Sequence, residues 1–225
     1  MKNLSNVDIE EFLSRCERSR VENRTLEYNG KSYAIPYSTI KIQGEKINGL
    51  RENEERIALF EKFIEENSKS RKTYLDIGCN LGIFVKSYDH IFESVQGIDY
   101  DDYYIKQCKF LYPEIETSFI HDDINKNRLS DIVGDKKDVI TALSMIEYID
   151  NKENFIEDLY NLTNELCIIE GHSEDIIKGL DTYYERLINE QDWLVERVKE
   201  TTDVGVNAPL NTFPTGRPVW ICKKQ

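Results

Sequence analysis

The sequence predicts an α/β protein: a mostly parallel β-sheet with helices on both faces, a short N-terminal extension and an antiparallel C-terminal edge strand. Two observations carry this prediction. From residue 73 onward, short runs rich in β-branched and aromatic residues alternate with helix-length segments, and strands that alternate with helices usually pair in parallel. A glycine-containing turn also follows the first of these runs, at residues 78–82, and open α/β sheets bind ligands at such strand ends.

Composition places the chain among folded globular proteins. Its 225 residues are 40% hydrophobic and 32% charged, which is enough apolar material for one domain with a full core and an extension. The formal net charge is −13, from 42 acidic and 29 basic residues. Because this charge repels phosphate backbones, it argues against nucleic acid as a partner.

Several protein classes are not indicated. The five cysteines are far apart and form no Cys-x-x-Cys pair, so we predict no zinc or other metal site. Residues 1–30 contain no apolar stretch suited to a signal peptide, and no stretch approaches the roughly 18 apolar residues of a membrane span. We therefore expect a cytoplasmic protein without membrane contact, and its oligomeric state stays undetermined.

Residues 1–50 are predicted to form a helical and irregular cap before the main domain, residues 51–225. A helix is expected from Val7 to about Arg24, because apolar residues fall there at near-helical spacing among charged ones. From Leu26 to Leu50, prolines, glycines and tyrosines predict short extended pieces and turns.

The main domain is predicted to begin with the helix Arg51–Glu66, whose apolar residues form one stripe among glutamates. The strands predicted for the parallel sheet are Thr73–Ile77, Ser94–Ile98, Thr117–Ile120, Asp138–Leu143 and Leu166–Glu170. After a helix from Thr182 to about Asn189, the segments Trp193–Lys199 and Pro218–Cys222 are predicted to form an antiparallel edge pair joined by a proline-containing loop.

The most informative stretch is an apolar strand that ends in Asp76 and enters a turn containing Gly78 and Gly82. Glycine lets the backbone turn tightly and lets a ligand approach closely. A dinucleotide-binding fingerprint is excluded because Asn80 and Ile83 stand where it needs glycines, and no Gly-Lys-Ser or Gly-Lys-Thr follows for a phosphate-binding loop. Asp76 would repel a pyrophosphate but attract a cationic ligand.

This stretch resembles the first motif of the class I S-adenosylmethionine-dependent methyltransferases, a strand followed by acid-x-Gly-x-Gly or a close variant. The resemblance implies a Rossmann-like fold for residues 51–225 and S-adenosylmethionine as the cofactor. In this first motif it implies cofactor-binding roles for Asp76, Gly78, Cys79, Asn80 and Gly82.

Two further strand ends follow in the family's order. The second resembles the motif in which an acid, here Asp99, holds both ribose hydroxyls of the cofactor, with Tyr100 beside it. The third resembles the motif that binds adenine. There Asp123, or alternatively Asp122, would accept from the adenine amino group, and the backbone N–H of Ile124 would meet a ring nitrogen.

The fourth strand and its following loop, Asp138–Tyr148, resemble the segment that passes under the methionine part of the cofactor and faces the acceptor, and we place Leu143 in the cofactor site. Glu170-Gly171-His172 and Gly216–Cys222 extend the resemblance over about residues 50–225. The first 50 residues match less specifically.

Methyl transfer from a sulfonium is an in-line displacement, so the protein mainly aligns the acceptor and excludes water. A base is needed only when the acceptor still holds its proton. His172 is the best candidate, because it lies just beyond a predicted strand and histidine titrates near neutral pH. Glu147 and Tyr148 are further candidates to orient or deprotonate an acceptor, although members of the family often carry histidine at the position of Tyr148.

The leading hypothesis is O-methylation of a small or medium-sized hydroxylated acceptor such as a sugar or other metabolite. Two alternatives remain open at this point. Gly49-Leu50-Arg51 and Arg217-Pro218 also resemble bacterial enzymes of this fold that modify tRNA, and cofactor motifs are equally compatible with a non-catalytic S-adenosylmethionine-binding protein.

Overall fold

The computed structural model describes residue 4 and residues 6–16, 24–198 and 216–225, apart from the side chains of Ser173 and Ile177. The N-terminal extension contains one helix and two antiparallel hairpins: α1 Ile9–Ser14, β1 Thr25–Tyr28, β2 Lys31–Ala34, β3 Ile40–Ile42 and β4 Glu45–Ile47. The helix predicted from residue 7 to about 24 is therefore shorter in its described part, and residues 17–23 lie outside the described residues.

A seven-stranded sheet forms the main domain. In chain order its elements are α2 Glu54–Asn67, β5 Thr73–Ile77, α3 Ile83–Tyr88, β6 Ser94–Asp99, α4 Asp102–Leu111, β7 Phe119–His121, α5 Leu129–Val133, β8 Lys137–Leu143, α6 Lys152–Leu162, β9 Thr163–Glu170, α7 Ser173–Lys178, α8 Leu180–Asn189, β10 Trp193–Val198 and β11 Val219–Lys224. The strand order is β10-β11-β9-β8-β5-β6-β7. The five strands from β9 to β7 pair in parallel, and β11 is antiparallel to both of its neighbours. The predicted fold class is confirmed.

The antiparallel C-terminal pair is confirmed, but its outer strand is β10. The C-terminal strand β11 lies between β10 and β9, one position inside the edge. Burial explains this order: the first four residues of β11 are buried, whereas β10 exposes Leu194, Glu196 and Arg197. The loop predicted between the two strands lies outside the described residues.

Two of the parallel strands begin more than one residue away from the predicted start. The third parallel strand begins at Phe119 instead of Thr117, because Pro113 starts a 3₁₀ helix that continues to Ser118. The fifth begins at Thr163 instead of Leu166, directly after α6. Neither difference moves the carboxyl end of a strand by more than one residue, so the predicted ligand-facing ends remain in place.

Two apolar cores cover the two faces of the sheet. Tyr74 and Leu75 are neighbours in β5 and belong to different cores, because successive strand side chains point to opposite faces. The core that contains Tyr74 also contains Phe60 of α2 together with Leu13 and Ile42 of the N-terminal extension. The extension therefore packs into the same core as the main domain.

Candidate active site

A cavity of about 420 Å³ lies beyond the carboxyl ends of the parallel strands, within the roughly 300–1,000 Å³ usual for small-molecule sites. Residues after β5, β6, β7, β8 and β9 contribute to its walls, as does Tyr37 of the extension. Of the cofactor residues predicted from the sequence, those that line it are Asp76, Gly78, Cys79, Asn80, Asp99, Tyr100, Asp123, Ile124 and Leu143.

The glycine turn after β5 is shaped by left-handed backbone. The N–H groups of Gly78 and Cys79 both donate to the carbonyl of Ile98, at 2.8 and 2.9 Å, and Gly78 has φ +73°. Gly82 differs from the prediction, because it is not among the lining residues. Its φ is +64°, and a Cβ there would lie 2.6 Å from Phe119 Cε1, so Gly82 permits the turn to pack against the sheet.

Asp76 is a buried carboxylate at the cavity. Thr141 Oγ1 donates to its Oδ1 at 2.7 Å, and Tyr74 Oη lies 2.6 Å from the same hydroxyl. Burial raises the pKa of Asp76 to about 7, against the opposing effects of Thr141 and Arg56. A carboxylate that is costly to ionise in the free protein suits a ligand that brings a positive charge.

Asp99 is held rigidly at the end of β6. Its Oδ2 accepts from the backbone N–H of Asn80 at 2.8 Å, and its Oδ1 accepts from that of Asp101 at 2.9 Å. The side chain therefore joins the glycine turn to the end of β6 and the start of α4.

Both acids proposed for the adenine end line the cavity. Asp122 accepts from the backbone N–H of Asp123 and from the Asn127 side chain, each at 2.8 Å. Asp123 forms an ion pair with Lys126 at 2.9 Å, and the hydrogen bond from Lys126 lowers the pKa of Asp123 against the effect of burial. The choice between the two acids stays a prediction.

His172 and Tyr148 also line the cavity, whereas Glu147 is not among the described residues that do. His172 is the N-cap of α7: its Nδ1 accepts from the backbone N–H of Glu174 at 3.4 Å, and its own backbone N–H donates to Asp175 at 2.6 Å. In a neutral ring this assignment leaves the hydrogen on Nε2. Nδ1, the nitrogen with which His172 would act as a base, is therefore already engaged in the helix cap.

The other two catalytic candidates lie on the 3₁₀ turn after β8. Tyr148 is 61% exposed. Glu147 instead interacts through its charge with Asp175 of α7. Burial raises the pKa of Asp175, and the negative charge of Glu147 raises it further. The structure therefore brings His172 and Tyr148 to the cavity and places Glu147 beside α7.

A buried cluster of arginines was not assigned a role from the sequence. Arg56 binds Glu170 through Nε at 3.1 Å and through Nη2 at 2.5 Å, and Arg217 Nη1 binds the same carboxylate at 3.1 Å. Ser144 contacts all three side chains. Burial alone would raise the pKa of Glu170, but the two guanidinium groups lower it to about 2.

The sequence carried only weak signals for this cluster. Glu170 ends an apolar strand and Arg217 precedes another, and charged residues at such positions are ordinarily solvated turn residues. Arg56 stands among the glutamates of α2, 114 residues from Glu170. Only the packing of α2 against the end of β9 reveals the contact.

A family model described as a methyltransferase domain matches residues 50–197. The chain belongs to this methyltransferase family. The class I resemblance found in the sequence is thereby confirmed, and with it an enzyme that uses S-adenosylmethionine. Among curated proteins, none matches the methyltransferase in sequence.

Solved structures share the fold at low sequence identity. An S-adenosylmethionine-dependent methyltransferase from Clostridium acetobutylicum ATCC 824 aligns with a TM-score of 0.57 at 13% identity, over 73% of this chain and 88% of that chain. The N-methyltransferase NodS from Bradyrhizobium japonicum WM9, crystallised with S-adenosyl-L-homocysteine, aligns with a TM-score of 0.59 at 13% identity, over 76% and 86%. WbdD aligns with a TM-score of 0.60 at 20% identity, over 78% of this chain and 42% of its own.

Two other findings concern the part of the methyltransferase that the structure describes. No helix there is long and apolar enough to cross a membrane. No group of three or more histidine, cysteine, aspartate or glutamate side chains there is arranged to hold a metal ion.

Proposed function

We propose that this methyltransferase transfers a methyl group to a hydroxyl oxygen of a small or medium-sized acceptor, such as a sugar or other hydroxylated metabolite. The observation that supports the proposal is the continuity of the cavity. It runs from the glycine turn at Gly78 to a second end lined by Tyr37, Arg51 and His172. We propose that this one concave space holds the cofactor at its first end and a small acceptor at its second end.

The residues of the first end fit S-adenosylmethionine. Asp99 would accept from the ribose hydroxyls, and Asp123 or Asp122, with Ile124, would meet the adenine. Asp76 would face the positive charge of the cofactor, which supplies the methyl group when bound. Gly78 allows the turn to pack closely against the loop after β8, since a Cβ there would lie 3.2 Å from Met145 Cβ.

The chain's own contribution to the transfer is positioning and exclusion of water. The extension contributes to the walls of the second end of the cavity, where Leu50 N donates to Pro36 O and Arg51 N donates to Tyr37 O, at 2.9 and 3.0 Å. Alignment of two reactants in such a space can account for several kcal/mol of the barrier. We propose that His172 orients the acceptor hydroxyl, because its cap favours Nε2–H as a donor.

The proposal is tested by incubating the protein with labelled S-adenosylmethionine and matched sets of alcohols, amines and thiols on the same carbon skeletons. We expect the methyl label to appear in the alcohols. Total tRNA serves as a negative control, and we expect no label in it because the protein has a net charge of −13. Transfer to amines or to tRNA alone would contradict the O-methylation of a metabolite. Calorimetry with S-adenosylhomocysteine in parallel confirms that the protein used is competent to bind the cofactor product.

A further inference from the structure

A cluster of charged side chains beside the second end of the cavity has an excess of positive charge. Three arginines meet there around one carboxylate, Glu170. Arg56 and Arg217 both bind it directly, and Arg51 interacts through charge with Arg56, Arg217 and Glu170. Three guanidinium groups against one carboxylate leave two positive charges in a protein whose overall formal charge is −13.

Glu170 is bound by the other two arginines and makes no described ion pair with Arg51. It is fully buried, its two oxygens accept from Arg56, and Oε1 also accepts from Arg217 and Ser144. Within the described residues, no carboxylate lies within ion-pair distance of Arg51. Arg51 lines the cavity, with its guanidinium carbon 5.0 Å from the centroid of the Tyr37 ring.

The backbone of Arg51 is held in place from both sides. Its N–H donates to Tyr37 O at 3.0 Å, and its carbonyl accepts from Thr39 N at 2.7 Å. Gly49 lies so close to Ser38 that a Cβ would be 2.2 Å from the Ser38 carbonyl carbon. The guanidinium is therefore presented from a rigid segment, which reduces the entropy lost when it binds a ligand.

The cavity is polarised along its length. Asp76, Asp99, Asp122 and Asp123 line the end proposed for the cofactor, and Arg51 and Arg56 line the other. Of the two arginines, Arg56 is the one whose charge acts on Asp76. The Arg56 guanidinium carbon also lies 5.3 Å from the centroid of the Phe84 ring, just after the glycine turn. We therefore place Arg56 toward the cofactor and Arg51, which packs on Tyr37 of the extension, toward the acceptor.

We propose that the acceptor carries an anionic group, a carboxylate or a phosphate, and that Arg51 binds it beside the Arg56–Glu170–Arg217 cluster. This inference rests on the proposed function, because it names the class of acceptor for the same cavity. A planar guanidinium binds either anion through two parallel hydrogen bonds. The cluster behind it has a net positive charge, because its one carboxylate, Glu170, is shared by Arg56 and Arg217.

The test measures binding of inorganic phosphate and of acetate to the complex with S-adenosylhomocysteine, by equilibrium dialysis of labelled anion. The variants are Arg51→Gln, Arg51→Lys and, as a matched control, Arg186→Gln on the exposed face of α8. We expect the wild-type complex and Arg186→Gln to bind at least one anion, Arg51→Gln to bind it roughly ten-fold or more weakly, and Arg51→Lys to lie between them.

Three results would overturn the inference: neither anion binds the wild-type complex, Arg51→Gln binds as well as the wild type, or Arg51→Gln loses S-adenosylhomocysteine as strongly as it loses the anion. The last result would assign Arg51 to the cofactor. Failure of the wild type to bind S-adenosylhomocysteine is a separate outcome, which contradicts the proposed function itself. Intact calorimetric binding of S-adenosylhomocysteine by Arg51→Gln also shows that the variant is folded.

Discussion

Single side chains at the cavity have chemical properties that solution experiments can measure. Asp76 combines full burial with a hydrogen bond from Thr141, and its pKa is raised by that burial to about 7. Asp99 and His172 are each fixed by backbone N–H groups. These three residues yield predictions that separate electrostatic, binding and catalytic roles.

Asp76→Asn should change the pH dependence of stability. A carboxyl whose folded pKa exceeds its unfolded value stabilises the fold while protonated, and this contribution is lost as pH rises from about 4 through about 7. Between pH 5 and 8 the wild type should therefore lose roughly 2–4 kcal/mol of unfolding free energy relative to Asp76→Asn. Urea unfolding of both proteins at pH 5 and at pH 8 measures the difference. An equal change in unfolding free energy between these pH values in the wild type and Asp76→Asn would refute the prediction.

Asp99→Ala should weaken binding of S-adenosylhomocysteine by roughly 1–3 kcal/mol, because ligand hydroxyls and the N–H groups of Asn80 and Asp101 would lose their acceptor. Calorimetry measures the change. Asp102→Ala, at a half-exposed carboxylate on α4, is the matched control and should bind normally. Equal affinity in both variants would remove Asp99 from the cofactor site.

His172→Ala tests the orienting role against the general-base role. If the ring orients the acceptor through Nε2, turnover should fall by less than about 100-fold and the shape of the pH–rate profile should be unchanged. Loss of a general base typically costs about 100-fold or more and removes the limb with which it titrates. Steady-state rates of the wild type and His172→Ala across pH 5–9 distinguish the two roles. If one limb of the pH–rate profile disappeared in His172→Ala, His172 would be the general base.

At the scale of elements, the contact between α2 and the end of β9 depends on a buried charge cluster. Arg56 of α2 and Arg217 before β11 both bind Glu170. The cluster also holds Ser144 at the end of β8, so three sheet segments and one helix meet there. Buried ion pairs contribute modest net stability, but removal of one partner is costly because the other charges stay buried.

Glu170→Gln should lower the free energy of unfolding by about 3–5 kcal/mol, because two buried guanidinium groups would lose their counter-charge. Chemical denaturation measures the loss. Glu174→Gln, which removes an exposed pair with Lys178, is the matched control and should change the stability little. In the wild type, the stabilisation by Glu170 is present above its ordinary pKa and is lost as pH falls from about 4.5 toward about 2. A loss no larger than that of Glu174→Gln would show that the cluster does not hold α2.

The order of the elements along the chain was predictable because each strand and each turn is specified by residues that are close together in the sequence. The strand Thr73–Ile77 was predicted with the bounds that the structure has, since its apolar run ends at a glycine turn. The inner position of β11 was not predicted, because pairing between strands far apart in sequence depends on which faces are buried.

At the scale of the whole molecule, the N-terminal extension is continuous with the main core. Phe12 and Leu13 of α1 are almost fully buried and belong to the same core as Phe60. Removal of the extension at Gly49 would therefore expose apolar surface as well as open the cavity. That residues 1–50 serve as a cap over the acceptor stays a prediction. In its packing, however, the extension is not a separate unit.

Leu13→Ala should lower the stability of the entire protein by about 2–5 kcal/mol, as expected for a large-to-small change in a core. Unfolding should remain a single transition whether it is followed by circular dichroism or by release of S-adenosylhomocysteine. Leu194→Ala, at a residue 54% exposed, is the control and should change little. If the extension unfolded in a separate, earlier transition, the shared core would not couple the two parts.

The sequence by itself determined the α/β class, the acids at the carboxyl ends of the strands and the glycine turn. These features are encoded locally, because periodicity specifies each strand and parallel strands bring their carboxyl ends to one edge of the sheet. The tertiary structure alone decided that Arg56 meets Glu170 114 residues away and that the extension brings Tyr37 to Arg51. It also decided that the cap on α7 engages Nδ1 of His172. Such contacts depend on how distant segments pack, and burial and charge pairing between those segments leave no periodic pattern in the chain.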